Sequence, residues 1–195
     1  MIRLIEATIF AALLSGAANA ECRFGAGEVE IAPSDLPDLV VDAVFGSEMR
    51  ILEHHWEELF DPDYDPDAEP SIVYRTLTPR ETAHLVASSI RVAYEDLDGD
   101  DRPEACYAIY STRTCSQGVS ICAHIVVSGD GSSTLLTAQT HILSPLYWRA
   151  NRMKLVQSID ARNDGNLWST LYRFSEGQYH ADTAVPLGPL FPKDN

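Results

Sequence analysis

Positive charge is scarce in this chain. It carries 14 Lys and Arg against 29 Asp and Glu, a net charge of −15. A field of that sign repels nucleic acid and anionic lipid, so neither is an expected partner. It favours cations or a basic protein partner, and at the least it keeps the chain soluble. Long apolar runs are also missing. Past the first 20 residues nothing approaches the roughly 20 apolar residues of a membrane span, so no integral span is expected there. No Gly-x-Ser-x-Gly elbow, Ser-x-x-Lys pair or P-loop occurs. No Cys-x-x-Cys pair occurs either, which argues against a zinc site. The absence of an internal repeat speaks against a propeller.

What the chain does have starts at its beginning. An apolar run from Ala7 to Leu14 leads to Ala18-Asn19-Ala20, a small-x-small signal before Glu21. This is the pattern of a secretory signal peptide over residues 1–20, cut after Ala20. Glu6 cancels the charge of Arg3, and an uncleaved anchor is the alternative. Cleavage leaves 175 of the 195 residues, the size of one ordinary domain. A periplasmic or secreted location follows. The four cysteines suit it, because an even number in a secreted chain suggests disulfides. Four allow three connectivities. Cys115 and Cys122 flank a plausible turn and are paired here, which leaves Cys22 with Cys106.

Local patterns predict helices first and strands later. Ser34 caps a helix with apolar positions Leu36, Leu39, Val40, Ala43 and Val44, and Gly46 stops it. Ser47 caps a second, with Met49, Leu52, Trp56, Leu59 and Phe60 as its stripe. The segment Asp61 to Pro70 holds three prolines and reads as a solvated loop. Ser71 to Leu77 reads as a strand, and Thr78-Pro79-Arg80-Glu81 is a capping box opening a third helix. From Ile90 onward the period is strand-like. The expected fold is therefore α+β: N-terminal helices followed by a largely antiparallel β-sheet meander, in a single domain over 21–184. Residues 185–195 read as an extended tail.

The strongest chemical signal is Asp96-Leu97-Asp98-Gly99-Asp100-Asp101-Arg102-Pro103-Glu104. Calcium takes six to eight hard oxygen ligands, and alternating carboxylates in a tight loop supply them. Asp96, Asp98 and Asp100 are the expected ligands at loop positions one, three and five. The Arg102 backbone carbonyl follows at seven and the Glu104 carboxylate at nine. Asp101 stands where a left-handed backbone is needed, a conformation Asp tolerates. The twelfth position is Tyr107, which rules out an EF-hand. A structural Ca²⁺ pinning two strands is the expected role, and an acidic turn without an ion is the alternative.

The spacing resembles the strand-flanked calcium loops of integrin-type FG-GAP and VCBS repeats, over about nine residues. The order Asp-Leu-Asp-Gly-Asp-x-x-Pro-Glu, a strand, a Cys-bounded loop and an aromatic hairpin (Trp168, Tyr172, Phe174, Tyr179) also resembles a group of uncharacterised secreted bacterial proteins. That likeness runs from Ile90 to His180 and implies fold and compartment only. The function expected is a non-enzymatic binding or envelope-associated protein. The alternatives are an extracytoplasmic hydrolase with a structural calcium, and an acidic inhibitor or subunit of a basic partner.

Overall fold

The computed structural model describes residues 21–25, 27–67, 72–111, 115, 121–150, 152–162 and 166–189. The expected signal segment lies outside them, as does most of the turn between Cys115 and Cys122. Twelve strands are described: β1 (Glu21–Cys22), β2 (Val29–Ile31), β3 (Met49–Leu52), β4 (Tyr74–Leu77), β5 (Ala87–Glu95), β6 (Glu104–Ser111), β7 (Cys122–Val127), β8 (Thr134–Thr140), β9 (Ile142–Ala150), β10 (Met153–Ala161), β11 (Asn166–Ser175) and β12 (Gln178–Pro189). Three helices, α1 (Asp38–Phe45), α2 (Glu53–Phe60) and α3 (Pro79–Val86), and a 3₁₀ turn at Pro33–Asp35 complete the set.

The strands form two five-stranded sheets, β1-β9-β10-β11-β12 and β2-β5-β6-β7-β8, and a separate pair, β3-β4. All pairings are antiparallel except β1 with β9. β7 is buried along its whole length. One of its faces contributes Val126 to a core shared by both sheets, with Phe24, Leu97, Cys106, Leu136, Leu143 and Val156. Its other face contributes Ile125 and Val127 to a second core. There they meet Val40, Val41 and Phe45 of α1 and Ala83 of α3. The layers are thus helix, sheet, sheet.

The expectation of N-terminal helices followed by a meander does not hold. Strand makes up 54% and helix 18% of the described residues, and the helices are short. Two causes are visible. β1 and β2 precede the first helix, yet each is only two or three residues and pairs far away, with β9 and β5. No local period marks such strands. The second cause is Met49–Leu52, placed by its apolar spacing in one helix with Trp56. Instead it pairs with Tyr74–Leu77, and the helix begins only at Glu53. Four residues are too few for period to separate strand from helix.

Other local signals are in place. Glu81 N–H donates to Thr78 Oγ1 at 3.2 Å while Thr78 N–H donates to Glu81 Oε2 at 2.9 Å, so both halves of the capping box form. The turn Glu176–Gly177 has φ of 53° and 84°, as a tight two-residue hairpin requires. β12 continues through Val185 to Pro189, part of the stretch read as a tail. Its prolines fit because β12 is an edge strand, where a missing N–H costs no ladder bond. Disulfides join Cys22 to Cys106 and Cys115 to Cys122, the pairs read from the sequence. The first links β1 of one sheet to β6 of the other.

Candidate metal centre

The acidic loop connects β5 to β6, whose ends meet at the Glu95–Glu104 pair. Its anchor is Leu97, 0% exposed in the shared core. The Leu97 N–H donates to Glu104 Oε2 at 2.6 Å, and its carbonyl accepts from the Lys154 backbone amide at 2.7 Å. One apolar side chain among the carboxylates therefore fixes the loop to β6 and to β10. Tyr179 of β12 supports this contact, its hydroxyl donating to the Lys154 carbonyl at 2.8 Å. Lys154 Nζ is itself paired with Glu95.

The turn follows from short side chains bonding the backbone ahead of them. Asp96 Oδ1 accepts the Gly99 amide at 2.5 Å, Asp98 Oδ1 the Asp100 amide at 3.0 Å, and Asp100 Oδ1 the Arg102 amide at 2.8 Å. Gly99 and Asp101 take φ of 83° and 66°, so the left-handed residue stands where it was expected. The neighbouring turn fits closely over the loop. A Cβ on Gly129 would come within 2.3 Å of the Arg102 carbonyl oxygen, so only glycine suits that position.

Ligand atoms of Asp96, Asp98 and Glu104 all lie within 4.8 Å of one another. Opposite ligands of one Ca²⁺, each about 2.4 Å from it, stand about that far apart. Asp100 is outside this group, with its Oδ1 on the Arg102 amide. The Arg102 carbonyl packs on Gly129. Of the five expected ligands, the fold gathers three side chains. Glu104 is the unusual member, 4% exposed. Burial pushes its carboxyl above the usual range, the Leu97 amide pulls against this, and the Asp98 and Asp96 charges add to the rise. Burial also raises the Tyr179 phenol, helped by Glu104 and Asp98. Mutual repulsion among three carboxylates is what a bound cation relieves.

A second polar group, missed at the level of sequence, lies between the sheets. His124 of β7 is 0% exposed, with Nδ1 3.1 Å from the Cys122 carbonyl. Burial pushes it down to about 4, against the Cys122 and Glu21 carbonyls that favour its charged form. His141, between β8 and β9, is 4% exposed. On β10, Asp160 accepts from the Ser158 hydroxyl at 3.2 Å, and burial raises its carboxyl. Both histidines belong to the interior rather than to a surface cleft. The only available signal was a His inside an apolar strand.

The buried imidazole makes the fold acid-sensitive. Its folded pKa is below the unfolded value of about 6.5, so between those values the unfolded chain binds more protons and stability drops as the pH is lowered. From pH 7 to pH 4 the stability difference between wild type and His124→Gln shifts by roughly 3 kcal/mol against the wild type. Urea unfolding at the two pH values measures it, and a pH-independent difference would contradict a neutral buried ring. Comparison of the chain with protein-family models, curated proteins and solved structures yields no match, so its function has to be read from the geometry above.

Proposed function

We propose that the chain is an extracytoplasmic, disulfide-bonded binding domain, exported by the segment ending at Ala20 and delivered to the periplasm or the medium. Its loop at 96–104 holds one structural Ca²⁺ ion through Asp96, Asp98 and Glu104. The observation that carries this reading is the Glu104 carboxylate, buried against two further carboxylates. Hard oxygen donors alone suit calcium better than zinc or copper. The ion stabilises the join between β5 and β6 by binding the folded chain only. Two disulfides are compatible with an oxidising compartment. Among the described residues no helix is long and apolar enough to cross a membrane.

Thermal unfolding in chelator and in millimolar calcium tests the site. With a Kd near 10⁻⁴ M, ~1 mM calcium adds about 1.4 kcal/mol. For a chain of this size that is a Tm rise of about 3–6 °C. Asp96→Asn combined with Asp98→Asn removes the rise, while Asp100→Asn keeps most of it. Calcium needs the ionised Glu104, whose pKa is raised, so the increment shrinks as acid protonates that carboxylate. An equal rise in the double variant sinks the assignment.

A further inference from the structure

The segment from Met49 to Leu77 holds β3, α2 and β4, yet Leu77 is its only buried residue among those described. α2 buries none. A two-stranded sheet and an eight-residue helix are each marginal in water without a buried face. Here the apolar side chains point outward instead: Leu59, Phe60, Ile72, Val73 and Tyr74 are half of the exposed large hydrophobics, with Ile72 89% exposed. Exposed apolar side chains concentrated in one stretch of chain mark a candidate interaction site.

Charge selects the occupant. The segment 49–77 carries eight carboxylates and two arginines. Both arginines are engaged: Arg50 lies over the Tyr74 ring at 5.5 Å, and Arg75 lies over Trp56 at 3.8 Å and pairs with Glu81. An anionic membrane or a second copy of so acidic a chain is repelled. Cationic side chains are attracted, and aromatic faces bind them further. β3 and β4 each have only one neighbour among the described strands, which leaves an edge open for an added strand. We infer that the β3–α2–β4 face is a docking surface for a cationic, amphipathic segment of another protein. It deepens the binding role proposed above and is independent of the calcium site.

The test is isothermal titration of the oxidised full chain with a short peptide alternating lysine and leucine, in chelator and in calcium. Saturable one-to-one binding is expected, weakening with salt. Ile72→Ser with Tyr74→Ser weakens it at least about tenfold at unchanged Tm, a loss of about 1.4 kcal/mol. Should that pair lower Tm, Glu57→Gln with Glu58→Gln removes charge alone and still weakens binding severalfold. Wild-type affinity in these variants overturns the inference. So does equal binding of a glutamate-leucine peptide, or a dimer that the Ile72 and Tyr74 changes dissolve. Lost peptide binding with the calcium response intact sinks the docking surface alone; the reverse sinks the metal site alone.

Discussion

Replacing Cys22 and Cys106 together with alanine lowers the unfolding free energy by about 4.6 kcal/mol on the chain-entropy account. The bridge spans 84 residues, while the Cys115–Cys122 bridge spans 7. Removing the shorter one costs about 2.4 kcal/mol on the same account. Packing widens the gap, because Cys22 and Cys106 are both buried in the shared core. Without the bridge, β1 is held by its two-residue parallel pairing with β9 and by the Cys22 amide's bond to the Glu28 carboxylate. Urea unfolding of the two double variants beside wild type, with the slope compared in each, gives the result. Equal losses from the two bridges would show that loop length does not govern their effect.

Leu97→Ala is the second large effect, at about 3–5 kcal/mol for a fully buried leucine whose site does not collapse. The cost extends beyond the cavity. Leu97 is the apolar residue among the loop's carboxylates, and its amide and carbonyl bond Glu104 and Lys154. Once the side chain no longer fills the core, the loop loses the anchor that sets Asp96 and Asp98 against Glu104. The variant is therefore less stable in chelator and also gains less from calcium. Denaturant titrations with and without calcium separate the two losses. A drop below about 1 kcal/mol would mean that the loop, not the core, positions Leu97.

The parts of the fold legible in the sequence are those whose causes are local. The Thr78 capping box and the long strands from β5 to β8 each rest on neighbouring residues. The acidic loop was legible for the same reason, down to the left-handed Asp101. Which of its carboxylates gather was not fully legible. Alternation in sequence treats Asp96, Asp98, Asp100 and Glu104 as equals, whereas burial beside Leu97 sets Glu104 apart and leaves Asp100 at the surface. β1 and β2 escaped because their partners lie far along the chain, and β3 because four residues are too few for period to tell strand from helix. The His124–His141–Asp160 group escaped for the same reason as β1 and β2, since His124 lies on β7, His141 between β8 and β9, and Asp160 on β10.

The pairing of Glu21 and Cys22 with Ile142 and Leu143 also fixes an order of events. β1 has no other neighbour among the described strands of its sheet, so it cannot settle until β9 exists. During synthesis the segment before Gly25 must wait, unpaired, while more than half of the chain follows it. Contacts of such long range close slowly. Cys106 comes into reach well before Ile142 does. The thiol at position 22 can thus be tethered to β6 first, which holds the waiting strand near the place where β9 will arrive.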